Sequence, residues 1–531
     1  MTSAKAPAWV VLKFGGTSVS SAANWQNIVH VLRSRLADGL RPVVVHSAVS
    51  GVTDLLETLL VQAIDGGHEA VYEQIVHRHK DLARDLRVVP GPELERHLND
   101  LRQIAAGIAL VGEVSERIRA RVMATGELMA TVLGAQFLRS QGLEVTWVDA
   151  RTALTARRSP SSRTNVLSAT CHFEPDPELQ RRFSAPGHVV LTQGFIASDE
   201  DGNTVLLGRG GSDTSAAYFA AKLQAQRLEI WTDVPGMFSA NPRSTPTARL
   251  LKALHYDEAQ EIASSGAKVL HPRCILPARQ YSIPLHIYAT QMPDLPGTVI
   301  SAAPGDSAAQ VKAIAVRKGI TLVSLDSPGM WHQVGFLADA FGIFKEHGLS
   351  VDLISTSETN VTVSLDPAAN ALDGAAIAGL VSDLSRLCRV QVIGPCASLS
   401  LVGRNIRGIL HRLGDAFELF EEQKIHLVSQ AANDLNFTFV IDEDQGDRLA
   451  QQLHDLLIRA SSRDQVMGPT WAQLFAPPQP VSGASAPWWQ AKRSALLELA
   501  RAHGCAYAYD RATLERSVDS LAALKSIDRR F

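Results

Sequence analysis

Cysteine is scarce in this chain: there are five (Cys171, Cys274, Cys388, Cys396 and Cys505) in 531 residues, never spaced as Cys-x-x-Cys. An odd, scattered set of this kind supports neither a disulfide framework nor a zinc site, and it fits a reducing cytoplasm. Long apolar runs are missing too. The opening MTSAKAPAW has no apolar signal core, and no run of about 18 apolar residues occurs, so neither export nor membrane spanning is supported. Nor is there an excess of one charge: 51 basic and 54 acidic residues leave a net charge of −3. No global field draws the chain to nucleic acid or to an anionic membrane, and small molecules are the expected partners. The two common phosphate-loop signatures are also absent, because no glycine cluster reads Gly-x-Gly-x-x-Gly and no Gly-Lys-Ser/Thr occurs.

What is present is enough chain for two to four domains. Up to about residue 300, short β-branched runs at 10–12, 43–45, 145–148, 189–192, 228–231 and 284–288 alternate with amphipathic helical patterns. That alternation predicts an α/β sandwich on a mostly parallel sheet, with functional loops at the C-terminal ends of the strands. The polar stretch 65–110 reads as a helical insertion on the surface, its HRHKDLARDLR cluster a solvated helix face. After residue 320 the chain repeats itself. LADAFGIFKEHGLSVDLISTSETNVTVSLD, from Leu337, aligns without a gap on LGDAFELFEEQKIHLVSQAANDLNFTFVID, from Leu413. Each copy predicts one helix and two strands, preceded by another strand at 321–325 or 398–402. Residues 476–490, rich in Pro, Gly, Ala and Ser, read as a linker. Some 40 residues follow, too few for a domain of their own.

Two glycine clusters carry chemistry. In WVVLKFGGTSVSSAANW a strand ends at Lys13 and the turn Gly15, Gly16 lets backbone approach a ligand; in LLGRGGSDTSAAYFAAKL, Arg209, Ser212 and Asp213 gather at a helix start. Bare N–H groups at such places hold anions, phosphates above all. Phosphoryl transfer also needs an acid near the cradle, for which Glu127 and Asp213 are candidates, though either could be a cap or a surface carboxylate. Thr232 and Asp233 stand at a strand tip in EIWTDVPGMFSANPR, and Lys268 in SSGAKVLHP supplies another cation. Arg209 suits bidentate capture of a carboxylate, whereas a lysine offers phosphates a compact charge.

In order, KFGGTSV, SAVSGVTDLL, TGELMAT, GRGGSDTSAA, WTDVPGMFSANPR and GAKVLHP resemble the motifs of aspartate kinases, and the tandem repeat resembles their paired ACT domains. The likeness runs over residues 8 to about 470. It implies an αβα-sandwich amino-acid-kinase fold over 1–300, then two ferredoxin-like ACT domains at 310–392 and 393–475. The implied reaction moves the γ-phosphoryl of ATP, with Mg2+ held mainly through the phosphates and no protein metal site, to the β-carboxylate of L-aspartate. Lys13, Gly15 and Gly16 would belong to the phosphate site. Ser47, Thr53, Glu127, Arg209, Ser212 and Asp213 would line the aspartate pocket, Arg209 pairing with a carboxylate and Glu127 with the ammonium. Thr232, Asp233, Phe238, Arg243 and Lys268 would serve the nucleotide. Lys13, Arg209, Asp213 and Lys268 are the residues expected to carry catalysis, by positioning and electrostatics. Relatives often have an aromatic hydroxyl at Phe238 and an Asp at Asn241.

MWHQVGFLADAF and SVDLISTSE resemble the lysine-binding segments of lysine-inhibited members. The matching positions are Met330, Gly335, Phe336, Leu337, Ser350, Val351, Asp352, Thr356, Ser357 and Glu358, with Asp352 and Glu358 as acceptors for the ligand's ammonium groups. Gln333 replaces a common serine. A homodimer through the ACT domains, or a higher homo-oligomer, is implied. No dinucleotide fingerprint follows the repeat, so a fused homoserine dehydrogenase is not expected. Residues 491–531 resemble the opening of a diaminopimelate decarboxylase, which would use pyridoxal phosphate only if the remainder of that domain were present; a plain C-terminal helix is the alternative. Another amino-acid kinase of the same fold and a catalytically idle amino-acid sensor remain as rival readings.

Overall fold

The structure is a computed structural model. It describes residues 8–475 other than 159–161, 185–187, 268, 304–309, 331–332, 371, 409–413, 415–417, 421–422, 431 and 460–466, and beyond them residues 489, 492–503, 509–512 and 514–515. Met1–Trp471 form one compact unit and Ala472–Phe531 another. In the second, Arg493–His503 is helical and Lys492 Nζ stands 3.7 Å from Asp510 Oδ2.

The first unit is built on two sheets. The larger has eight strands: β1 (Trp9–Phe14), β2 (Arg41–His46), β3 (Val145–Val148), β4 (Val189–Gln193), β5 (Arg227–Thr232), β6 (Ala253–His255), β7 (Leu285–Ala289) and β8 (Thr298–Ser301). They lie in the order β6-β8-β7-β5-β1-β2-β4-β3, and every neighbouring pair is parallel except β7 with β8. β1 and β2 are buried almost throughout, which is what unbroken Val/Leu runs require of a sheet covered on both faces. All six runs singled out in the sequence are strands. The two additions, β6 and β8, are short strands at one end of the sheet.

Helices α1 (Ala22–Ala37), α2 (Val52–Ile64), α3 (Glu69–Asp85), α4 (Pro92–Val111), α5 (Glu116–Ser140), α6 (Gly211–Leu223) and α7 (Tyr256–Ser264) surround this sheet. Stretch 65–110 is helical as expected, but it is not only surface. Val71, Ile75, Leu82, Leu94, Leu98 and Leu101 are buried in the main core, because α3 and α4 each carry an apolar stripe at helical spacing that α2 and α5 cover. His79, within the basic cluster, is buried with them.

The smaller sheet is antiparallel and shared by both repeat copies. Its strands are β9 (Gln310–Asp326), β10 (Ile354–Thr356), β11 (Asn360–Leu365), β12 (Arg389–Arg404), β13 (Leu427–Ser429) and β14 (Asn436–Asp442), ordered β10-β11-β9-β12-β14-β13. Asp326 faces Asn360 and Leu325 faces Val361; at the equivalent positions, Val402 faces Asn436 and Leu401 faces Phe437. The repeat visible in the sequence is therefore a repeat of strand register. Helix α8 (Phe336–Glu346) is the helix of the first copy, and most of the corresponding segment of the second lies outside the described residues.

β9 and β12 pair along nearly their whole length, so each passes from one copy into the other. The near end of β9 also meets the large-sheet half. Ile314 N–H donates to Ser239 O at 2.8 Å, and Arg249–Leu251 pairs with Met467–Thr470. Helix α9 (Gly446–His454) brings His454 Nε2 to 2.8 Å from Ser239 Oγ.

Candidate active site and effector cleft

The site forms where three parallel strands end. β1 delivers Lys13 and then turns through Gly15, whose N–H donates to Trp231 O on β5 at 3.3 Å. A β-carbon at Gly16 would stand 2.9 Å from the carbonyl oxygen of Ala48, a backbone atom that cannot swing aside, so the close approach of this turn to the β2 loop requires glycine. Lys13 Nζ lies 3.5 Å from where a β-carbon on Gly15 would be, directly over the turn.

The partner of Lys13 comes from the second glycine cluster. Gly210, at φ +63°, caps α6 in the left-handed conformation and places Ser212 and Asp213 in the helix's first turn. Asp213 Oδ1 is 2.7 Å from Lys13 Nζ, at an angle poor for a hydrogen bond, so the attraction is mainly Coulombic. Its Oδ2 accepts from His271 N–H at 3.1 Å. The helix N-terminus favours the carboxylate as well. Ser47 Oγ donates to Ser212 Oγ at 2.9 Å, tying the end of β2 to the start of α6.

Behind that link, Ala48 N–H donates to Glu127 Oε1 at 3.2 Å. Glu127 sits mid-way along α5 with 4% of its surface exposed, and burial pushes its carboxyl up to about 8. Thr53 is exposed in the first turn of α2, and Arg209 is exposed between Gly208 and Gly210, in ion pair with no carboxylate among the described residues. On the β5 side, Thr232 Oγ1 donates to Asp233 Oδ1 at 3.1 Å, and Arg243 Nη2 stands 3.9 Å from Asp233 Oδ2 at the surface.

Lys13, Gly15, Gly16, Ser47, Glu127, Ser212 and Asp213 thus gather around one loop. Phe238 is buried, edge-on to Trp471 at 5.3 Å between ring centroids. Lys268 lies outside the described residues. Sequence reasoning missed His46, whose Nδ1–H donates to Ser47 O at 2.9 Å and whose ring burial pulls down to about 4, and it missed His271 and Arg273. These residues act on backbone atoms, and a backbone acceptor leaves no trace in a sequence.

In the smaller sheet's half, Met330, Gln333, Gly335, Phe336, Leu337, Thr356, Ser357 and Glu358 line a cleft of about 320 Å3 beside the start of α8. Ser350, Val351 and Asp352 are not among its lining residues. Asp352 faces Arg317, whose Nη1 is 3.5 Å away and also holds Asp366 at 2.8 Å; burial raises the Asp352 carboxyl. A groove of about 380 Å3 between α2 and α3 is walled mostly by exposed side chains, and Gly51 and Asp54 of its lining flank Thr53 in the sequence.

Residues 8–289 match the model of the amino acid kinase family. The chain is 33% identical over 452 residues to the lysine-sensitive aspartokinase 3 of Escherichia coli, spanning 84% of this chain and 99% of that one. Among solved structures, E. coli aspartokinase III in complex with aspartate and ADP superposes with a TM-score of 0.73 at 31% identity, covering 84% of this chain and 99% of the other. The same enzyme in complex with lysine and aspartate gives 0.66 at 31% identity, covering 85% and 99%. With a match to the family model over more than half its length, and a relative this similar spanned end to end, the chain belongs to the aspartokinases of the amino acid kinase family.

Proposed function

We propose that this protein transfers the γ-phosphoryl group of MgATP to the β-carboxylate of L-aspartate, giving 4-phospho-L-aspartate, and that lysine restrains the reaction. The observation that carries the reading is the convergence of the β1 glycine turn and the α6 N-terminus on the Lys13–Asp213 pair. A β-carbon at Gly16 would collide with the Ala48 carbonyl, so glycine keeps the turn tight against the β2 loop and its backbone uncovered for a phosphate chain. Magnesium, carried on the phosphates, neutralises part of their charge. Lys13 stabilises the moving phosphoryl group, Arg209 grips a substrate carboxylate, and Ser47, Thr53, Ser212 and Asp213 complete the pocket. Thr232, Asp233, Phe238, Arg243 and Lys268 serve the nucleotide. Because transfer needs no covalent enzyme intermediate, placement and electrostatics supply the rate.

The repeat is read as two ACT domains that exchange halves of β9 and β12, the cleft beside α8 as the lysine site, and the assembly as a homodimer or larger in the cytoplasm. Residues 491–531 are read as the start of a decarboxylase-like segment. The test is ADP release with MgATP and L-aspartate, with and without lysine. Aspartate-dependent turnover that lysine lowers is expected. Lysine binding by calorimetry without any turnover would replace this reading with that of an amino-acid sensor.

Glu127 adds a pH dependence. Its ionised form is the one that attracts the substrate ammonium, and burial holds the carboxyl at about 8, so the free enzyme carries a proton there below that pH. kcat/KM for aspartate is therefore expected to rise by about tenfold per pH unit up to about pH 8 and then level. Glu127→Gln should flatten the profile at a low value. A wild-type profile already flat below pH 8 would remove Glu127 from the ammonium site.

A further inference from the structure

Arg209 and Asp213 ride on one short segment, residues 207–213, and three of its residues are glycine: Gly208, Gly210 and Gly211. Gly208 and Gly210 have φ of +71° and +63°. Such a segment has many conformations to lose, and among the described residues Arg209 itself makes no ion pair that would fix it. Something else must hold it still.

The turn at residues 271–273 occupies that place. Arg273 spends its guanidinium on backbone: Nη1 donates to Leu207 O at 2.6 Å and Nη2 to Ala169 O at 3.0 Å. Ser168 Oγ and Thr170 Oγ1 lie at 3.5 and 3.4 Å from the same two nitrogens. Among the described residues it pairs with no carboxylate. A charged fork used to bind two neutral carbonyls, from loops far apart in the chain, is a strap rather than an ion-pair partner.

At the other end of the segment stands His271. A β-carbon on Gly210 would lie 2.1 Å from His271 Cγ, so the ring closes the space above the cap of α6. Its Nδ1 accepts from Arg273 N–H at 3.3 Å, and its own N–H donates to Asp213 Oδ2 at 3.1 Å. Burial lowers the imidazole's pKa, against the pull of Asp213 in the opposite direction. The two ends of the segment are thus held by residues two apart in the sequence.

We propose, on the aspartate kinase reading, that His271 and Arg273 are positioning residues for the transfer. Arg273 fixes the Leu207 carbonyl so that Arg209 presents its guanidinium to the substrate carboxylate, and His271 fixes the α6 cap so that Asp213 faces Lys13. Neither touches substrate. Preorganisation of this kind is worth a great deal, since a displacement of about 1 Å at a reacting group costs on the order of 100-fold in rate.

The experiment is a double-mutant cycle in the full chain, with kcat and KM for aspartate and for ATP measured for wild type, Arg273→Ala, Arg209→Ala and the pair. Arg273→Ala is expected to lower kcat/KM for aspartate by about 10- to 100-fold, with KM for ATP within about twofold. In the Arg209→Ala background the same change should do almost nothing, because the residue acts through Arg209. Arg273→Lys keeps one donor and should recover part of the loss. His271→Asn, which retains an acceptor for Arg273 N–H, should fall less than His271→Ala. Amide hydrogen exchange in 207–213 should quicken in Arg273→Ala, a readout that does not depend on turnover. Full additivity of the two alanine variants, equal losses for both substrates, or unchanged exchange in the segment would overturn the proposal while leaving the kinase reading intact. An active Arg209→Ala with an unaltered KM for aspartate would overturn the arginine's substrate role and this proposal with it.

Discussion

Lys13→Ala is expected to reduce aspartate-dependent kcat by about 100- to 1000-fold, the range found when one preorganised charge donor is taken from a developing anion. Three observations set that size. The ammonium hangs over the β1 glycine turn, 3.5 Å from where a β-carbon on Gly15 would stand. It is partly shielded from water, with 13% of the side chain exposed, so its field on a neighbouring oxygen is screened less than at an open surface. And its resting partner, Asp213, is held from a second direction by His271 N–H, so the charge stays aimed in the absence of substrate. Lys13→Arg should rescue poorly, because a planar fork cannot replace a compact charge in the space above Gly15. Asp213→Asn keeps the shape and the bond from His271 N–H but frees the lysine. It should therefore raise KM more than it lowers kcat. Initial rates over a range of MgATP and aspartate concentrations check all three variants, with melting curves to show that each is folded. A Lys13→Ala enzyme within about threefold of wild type would take the phosphoryl-stabilising role away from this residue.

The half of this chemistry that was legible in the sequence is the half written in side chains at fixed spacing. Lys13 before Gly15 and Gly16, and Arg209 before Ser212 and Asp213, stand out because glycine turns followed by helices have few other uses. That the two clusters join as a Lys13–Asp213 pair was not legible. The residues come from different turns, and only the packing of α6 against β1 makes them neighbours. The central strands were visible because Val/Leu runs buried on both faces have no polar interruption, whereas β6 and β8 are too short to show any period. The repeat announced strands of the second sheet. It did not announce that β9 and β12 would each continue from one copy into the other, because Gly319, at φ +79°, and the bulges around it make one strand read as two. Phe238 shows what a motif leaves out: a position read as a nucleotide contact also packs against Trp471, a residue more than 200 positions away.

The largest stability effect is expected where the two halves of the first unit meet. Glu258 on α7 and Lys312 on β9 are almost wholly buried, 0% and 1% exposed, with Lys312 Nζ 2.7 Å from Glu258 Oε1. As at Lys13, the angle is poor for a hydrogen bond, and the contact is an attraction of charges. Arg404 Nε on β12 stands 3.6 Å from the same oxygen, and Oε2 accepts from His255 N–H at 2.8 Å, closing the capping box of α7. Each charge has given up its hydration, so removing one strands the other. Lys312→Ala is expected to cost about 3–5 kcal/mol of stability, and Glu258→Ala about as much, since it strands the lysine and opens the cap of α7. Replacing both at once, Glu258→Leu with Lys312→Met, leaves no unpaired lysine and should recover at least half of that loss, although Arg404 loses its partner. Urea unfolding, compared across the three proteins at one pH and salt, measures it. Because the pair lies away from Lys13 and Arg209, kcat at low temperature should stay within about threefold of wild type, separating a loss of folding from a loss of chemistry. Single variants as stable as wild type would mean that water or a shifted arginine pays the desolvation, and that the halves are held together by β9, β12 and the apolar core between them.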